Sequence, residues 1–382
     1  MNHTSKKRIG IDARFYGAAG IGRYISCLLK ELETDEVHEY FVFLNQTGFD
    51  FFNPTNKNFH KVLCDIPWYS WKEQLVLPFV FGRYHLDLLH IPHFNIPIFY
   101  FGKIVVTIHD LIINDFSTER ATTLSRPYYR FKRLVYSWLV KTAVARSSKV
   151  IVPSNYTKQV VQQTYAVSES KIIVTYEGLT KNIHGGHPLF SGMPYLLFVG
   201  SMYPHKNLER LIEVFVTLRR NGTFSGDLVL AGKSDYFSQR LQAEVYVKYP
   251  DMTAQDIIFP ISKYPRLPLQ DDELAELYQN AVAFVFPSLS EGFGLPPLEA
   301  MGIGCPVVSS NSTSIPEICG DAALYFDPLD ASDMAAKISK IISDPVLRSE
   351  LVEKGRKNIE RFSWSKMAGE TLKVYEDCLS SR

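Results

Sequence analysis

Two α/β domains, each a doubly wound parallel sheet with helices on both faces, are the architecture this sequence predicts. Its 382 residues exceed the roughly 250–300 that one hydrophobic core serves. Short apolar, β-branched runs recur along the whole chain with helical stretches between them. The runs are apolar throughout instead of alternating, which is the pattern of parallel strands buried on both faces. Near the middle, GLTKNIHGGHPLFSGMP (178–194) is rich in Gly, Pro and His and has no periodicity, so it marks a linker. The expected boundaries are a first domain over 1–180, a linker over 181–193, a second domain over 194–363, and a closing segment, 364–382.

Taken in order, KRIGIDA, YFVFL, KVLC, DLLHI, KIVVTIH, KVIVPS and KIIVTY read as the strands of the first domain. PYLLFVG, DLVLAG, DIIFP, AFVFPS and PVVSS read as those of the second. Ser154 and Asn155 precede a helix beginning near Tyr156 and suit its cap. Residues 126–141, RPYYRFKRLVYSWLVK, place Phe131, Leu134, Val135, Trp138 and Leu139 at helical spacing beside Arg130, Arg133 and Lys141, an amphipathic helix. Its stripe is expected to pack into the first domain; the other reading is an interfacial helix on an anionic lipid surface.

Composition narrows the function classes. With 46% apolar and 21% charged residues the chain is a folded protein, not a disordered one. Five scattered cysteines show neither disulfide-scaffold nor zinc spacing, which suits a reducing cytoplasm. At the N-terminus Asp12 and Arg14 interrupt any apolar core, so no secretion signal is expected. Lys103 splits the longest apolar run, so no helix should span a bilayer. The net charge of +1 hides 22 Lys and Arg against 15 Asp and Glu in residues 1–190, and 19 against 25 thereafter. A basic first half fits an anionic acceptor or lipid surface, or an uneven scatter of solvated charge. No nucleic-acid partner is expected.

Open α/β sheets bind ligands beyond the carboxyl ends of their strands, and unusual residues stand there. The first strand leads into YGAAGIGRY; others lead into His109-Asp110, Gly200-Ser201 with Lys206, Gly232-Lys233, and Ser288 to Gly294. In SEGFGLPPLEAMG, AFVFPS is the strand, EGFG the turn and PPLEAMG a helix starting at its prolines. Gly292, Phe293, Gly294 and Leu295 thereby present backbone N–H groups and the positive end of a helix dipole, an attraction for phosphate. Glu299, expected in the first turn, leans back toward that mouth. Beside phosphate it would be repelled unless it holds hydroxyls such as those of a ribose, with Glu291 meeting hydroxyls on the far side. Singly, Glu299 reads equally as a dipole-stabilising acid and Glu291 as a solvated one. Glu317, in IPEICG, is either another such acid or a helix-start residue. The pairs His90/His93 and His184/His187 lack carboxylate or cysteine companions, so no metal is expected.

The sequence resembles glycosyltransferase family four, retaining enzymes of GT-B fold whose hallmark is two glutamates separated by seven residues, as in EGFGLPPLE. The resemblance covers nearly the whole chain: GIDARFYGAAGIGRYI, VVTIHDL, VIVPSNYTK, LFVGSMYPHKNLERLIEVF, the block from ELYQNAVAF to CPVVSS, IPEICGDAALYFDP and FSWSKMAGETLKVYE. It implies two Rossmann-like domains facing across a cleft, the first for an acceptor and the second for a nucleotide-sugar donor, with the closing helix folded back on the first. Lys206 matches the family's lysine on the donor diphosphate and His109 its histidine near the donor sugar. The loop with Gly17, Gly20 and Gly22 matches one approaching phosphates and acceptor. Ser201 stands where many relatives have an arginine; Arg210, Lys233 or the amides at 292–295 are the substitutes to consider. Retention of configuration and metal independence are implied, with no cofactor beyond the donor. The wording of the Lys206 and Glu291 segments resembles bacterial mannosyltransferases of surface-polysaccharide assembly, so GDP-mannose is the first expectation, with UDP- and dTDP-sugars open. The expected partner is a saccharide or lipid-linked saccharide, met in the cytoplasm or peripherally at the inner membrane face. A non-catalytic sugar-nucleotide-binding protein is the alternative of another class.

Overall fold

The computed structural model describes residues 6–18, 20–112, 126–179, 193–259 and 271–380, without the side chains of 126–131. The expected linker 181–193, with His184 and His187, therefore lies outside the described residues except at Met193. Of the described residues, those up to Gly178 and from Ser363 onward form one compact unit, and Leu179–Phe362 form the other.

The first unit holds a seven-stranded sheet: β1 (Arg8–Ala13), β2 (Glu39–Leu44), β3 (Phe59–Leu63), β4 (Leu88–Ile91), β5 (Ile104–Thr107), β6 (Lys149–Val152) and β7 (Ile172–Val174). Its strand order is β3-β2-β1-β4-β5-β6-β7, and every neighbouring pair is parallel, Ile11 facing Val42 on one side and His90 on the other. The second unit holds six strands: β8 (Tyr195–Val199), β9 (Asp227–Ala231), β10 (Ile257–Ile258), β11 (Ala283–Phe286), β12 (Val307–Ser310) and β13 (Ala323–Phe326). Their order is β10-β9-β8-β11-β12-β13, again parallel. Each of the twelve expected runs is a strand; β13, in GDAALYFDP, is an addition. Buried aliphatic and aromatic side chains on the strands build each core, as the unbroken apolar runs require.

In both sheets the strand order reverses once, between β1 and β4 and between β8 and β11. Such a reversal sends the flanking connections to opposite faces and opens a crevice at the carboxyl ends of the two central strands.

The closing helix Trp364–Ser380 belongs to the first unit. Tyr375 Oη lies 2.6 Å from His90 Nδ1, and Lys103 donates to the Cys378 carbonyl at 2.6 Å. At its entrance the chain passes so close to Gly178 that a Cβ there would stand 2.1 Å from the Trp364 nitrogen. Only glycine leaves that room.

The helix Arg126–Arg146 corrects an expectation. Its buried side chains are Tyr136, Val140, Ala143 and Val144, while Leu134 is 72% and Trp138 52% exposed. The Leu134, Val135 and Trp138 stripe therefore faces away from the core. The helix runs five residues beyond the expected end, and small Ala143 continues a different apolar face, i, i+4, i+7, i+8, that the sheet covers instead.

Candidate functional site

In the second unit the loops after β8 and β11 meet at the crevice. Gly200 leaves β8 at φ +151°, and the chain passes Ser201, half-buried, to Lys206 and Asn207. Asn207 turns the backbone at φ +58° and donates its side chain to the Pro287 and Pro328 carbonyls at 3.2 and 2.9 Å. Leu289 N–H donates to the His205 carbonyl at 2.8 Å. This stitching brings Lys206 Nζ to 2.6 Å from Glu291 Oε1, both side chains largely buried, with Nζ 5.4 Å from the Phe286 ring centroid. His205, beside them, has its pKa pushed down to about 4, first by burial and next by the Lys206 charge.

The glycine turn is fixed from beneath. Glu291 N–H donates to Thr313 Oγ1 at 3.0 Å, and the Ser314 hydroxyl donates toward the Glu291 and Phe293 carbonyls at 3.0 and 2.9 Å. Phe293 turns its ring into the core, edge-on to Phe362 at 5.7 Å, so its contribution to a ligand is backbone. Gly294 caps the helix Leu295–Ile303 at φ +115°, and a side chain there would meet nothing within 4 Å. That conformation is glycine's, and the space above it is open. Because Gly294 is the cap, the helix starts at Leu295, one residue before the expected proline. Glu299 is thus its fifth residue, not a first-turn acid; it is half-buried and receives the Tyr278 hydroxyl at 3.5 Å. Gly292 is buried between Glu291 and Phe293.

The proposed substitutes for a second cation separate. Arg210 directs its guanidinium to the Pro328 carbonyl, where it fastens a loop, whereas Lys233 is exposed just past β9. Glu317 lies in the first turn of Ile315–Cys319, and its carbonyl accepts from Arg361.

In the first unit the loop after β1 carries Gly17 at φ +82° and Gly20 at φ +61°, the latter capping Ile21–Leu32 with open space around it. Gly22 instead is pressed against the loop: a Cβ would stand 2.8 Å from the Phe15 carbonyl oxygen. His109 follows β5 and is anchored at both ring nitrogens, Nδ1 3.2 Å from Glu177 Oε1 and Nε2 3.2 Å from the Pro92 carbonyl. Tyr24 meets the ring edge-on at 4.8 Å. Glu177, buried and absent from the sequence reading, is what orients this histidine; its lone position after β7 offered no signal. Ser154 caps the helix Asn155–Tyr165 through a bond from Thr157 N–H at 3.1 Å, while Asn155 is its first residue.

His90 and His93 do not form a metal pair. His90 uses Nδ1 on Tyr375 and Nε2 on Thr107 at 2.8 Å, whereas His93 sits among aromatic rings. Burial pushes both pKa values down to about 3.

A second group went unrecognised in the sequence. Arg14, fully buried, binds both oxygens of Asp12 at 2.8 and 2.7 Å, Glu73 Oε1 at 2.7 Å and the Ile66 carbonyl at 3.0 Å. Burial raises the Glu73 pKa against the pull of Arg14.

Comparison with known proteins gives the site its context. Residues 193–344 match the family model described as Glycosyl transferases group 1, and residues 18–181 match that of Glycosyltransferase Family 4. O-antigen chain mannosyltransferase B of Escherichia coli is 33% identical over 189 residues, 48% of this chain and 45% of that one. The chain thus aligns with less than half of that relative's length. O-antigen chain mannosyltransferase RfbU of Salmonella typhimurium is 27% identical over 286 residues, 73% and 71% of the two chains. Sucrose-phosphate synthase from Thermosynechococcus elongatus shares the fold, with TM-score 0.76 at 19% identity over 99% of this chain and 100% of that one. With two glycosyltransferase models matched on either side of residues 182–192 and together spanning most of the chain, and two parallel sheets of the GT-B kind, the chain belongs to the group 1, family 4 glycosyltransferases.

Proposed function

We propose that this chain is a retaining hexosyltransferase that moves mannose from GDP-mannose to a hydroxyl of a saccharide or lipid-linked saccharide in surface-polysaccharide synthesis. The observation that carries this reading is the Lys206–Glu291 contact, 2.6 Å, at the β8/β11 reversal beside an open glycine-capped helix mouth. The similarity to two O-antigen chain mannosyltransferases supports the choice of sugar.

The donor belongs to the second unit in this reading. An ammonium has three N–H donors; one on Glu291 leaves two for oxygens of the diphosphate, which also takes the 292–295 amides and the helix dipole. These groups would neutralise the diphosphate without a metal. Glu299 accepts from the ribose hydroxyls. The acceptor belongs to the first unit, with Gly20 leaving room for close approach and His109 assigned to the transferred hexose. In the reaction the acceptor oxygen bonds to C1 on the face the phosphate leaves. The C1–O bond electrons pass to the β-phosphate, and that phosphate takes the acceptor's proton. Nucleoside diphosphate and glycoside are the products, and Lys206 stabilises the charge that grows on the leaving group.

The outward face with Leu134, Val135 and Trp138, flanked by exposed Lys132 and Lys141, supports docking at an anionic membrane surface that carries a lipid-linked acceptor.

A thermal-shift panel of GDP-, UDP-, dTDP- and ADP-sugars tests the reading. One nucleotide, GDP by expectation, raises Tm, and Lys206→Ala removes the rise. Indifference to all four would refute the assignment; a response to UDP or dTDP alone would change the donor.

A further inference from the structure

The first unit carries an aromatic surface that the donor chemistry leaves unused. Four rings pile up beside the carboxyl ends of β1 and β4: Trp68 on Phe15 at 4.0 Å and 2° between planes, Phe15 on His93 at 4.8 Å, and His93 on Phe94 at 3.9 Å. Trp68 is half-buried, and Phe15 is the one stacked ring it meets among the described residues. Tyr69 follows, 58% exposed, and Trp71 is 67% exposed.

This loop is held rigidly. Arg14 grips its Ile66 carbonyl, and Tyr69 N–H donates to Glu73 Oε2 at 2.8 Å. Tyr69 is kept at φ +57°, a conformation that costs a bulky residue of order 1 kcal/mol or more and persists only where the surroundings impose it. Asn95, fully buried, donates its amide to Glu73 and leaves its carbonyl oxygen buried without a partner. The charged groups around the loop are Asp12, Asp65, Glu73 and Asp110 against Arg14 and Lys72, a net negative balance that disfavours phosphate-bearing ligands. What suits rigid exposed ring faces in such a field is a neutral ring with one apolar C–H face and a rim of hydroxyls.

We propose that the Trp68–Tyr69 loop is a stacking platform for a neutral pyranose of the acceptor saccharide, with Trp68 as the principal ring. The proposal rests on the reading of the chain as a glycosyltransferase and names where its acceptor is read.

Saturation-transfer NMR on the full chain with methyl α-D-mannopyranoside and methyl α-D-glucopyranoside tests it. The expected result is saturation concentrated on the C–H protons of one pyranoside face, affinity weakened on the order of tenfold by Trp68→Leu, and most of it kept by Trp68→Phe. Tyr69→Ala provides a second weakened variant should Trp68→Leu fail to fold. Unaltered affinity in these variants, or no saturation of either sugar, would overturn the platform. The nucleotide-sugar thermal shift, measured on the same proteins, separates the failures. If it persists while the saccharide result fails, the platform alone falls; if it is absent in the unmodified chain, the wider reading falls.

Discussion

Lys206 and Glu291 form an ion pair across 85 positions of sequence, and that pairing predicts opposite behaviour for their substitutions. On the proposed function Lys206→Ala removes the phosphate partner, so the donor should no longer stabilise the protein. Glu291→Gln leaves the ammonium in a largely buried place with its best acceptor neutralised, at a cost of about 1–3 kcal/mol to the unliganded protein. A bound diphosphate supplies the missing negative charge. The donor-induced rise in Tm should therefore be larger in Glu291→Gln than in the unmodified chain, while turnover falls by about a hundredfold or more. Differential scanning fluorimetry with and without GDP-mannose, alongside a turnover assay, checks both; a smaller rise in Glu291→Gln would disprove the shared role of the pair. The types of these residues were legible because each stands beside a recognisable turn. Their contact was not, since only the β8–β11 adjacency brings it about. Arg14 shows what a linear reading passes over. Asp12 and Arg14 lie two apart at a strand end, so they point to one face, and as opposite charges they form a pair. Glu73, the third member, sits 59 residues beyond Arg14 and carries no local sign of its destination.

Among the elements, strands were the most legible, because unbroken apolar β-branched runs can satisfy their backbone and bury both faces only within a parallel sheet. The exception, β13, is the short ALYF, with no β-branched residue and a half-buried middle, so neither run length nor composition set it apart. The helix Arg126–Arg146 was legible as a helix but not in its facing. Two apolar stripes compete along it, and the one with the larger side chains lost to the one whose Ala143 and Val144 pack beneath it. The losing stripe makes a prediction at this scale. Leu134→Ser with Trp138→Ser removes exposed apolar surface, so stability should change by no more than about 0.5 kcal/mol per site. If the face docks on lipid, each side chain loses roughly 1.5–3 kcal/mol of burial, and binding to phosphatidylglycerol-containing vesicles should drop by more than about tenfold. Sedimentation with anionic and with neutral vesicles checks it, and an unmodified chain that ignores the anionic ones would remove the lipid docking from the proposal.

At the scale of the molecule, two units each with one strand-order reversal place the glycine loop after β1 beside the end of β4 in one sheet and the motif-bearing loops after β8 and β11 side by side in the other. The sequence names those loops but not their adjacency, which depends on which crossover each helix takes. The division also shapes the response to acid. His90 and His93 in the first unit are held down to about 3, and His205 in the second to about 4, each mainly by burial. Unfolded, a histidine titrates near 6.5. Between those values the unfolded chain binds protons that the folded chain refuses, so stability is complete above about pH 6.5 and declines as pH falls toward 3 to 4. At pH 5 each such histidine costs about 2 kcal/mol, and the first unit bears two of the three. Calorimetry at pH 7 and pH 5 should therefore show the melting transition of the first unit falling more steeply than that of the second, with net proton uptake on unfolding at pH 5. His90→Gln with His93→Gln should flatten the first unit's pH slope while leaving the second unit's unchanged. Equal slopes for the two transitions, or a slope in the first unit that survives the double substitution, would mean that these histidines are not what acid attacks.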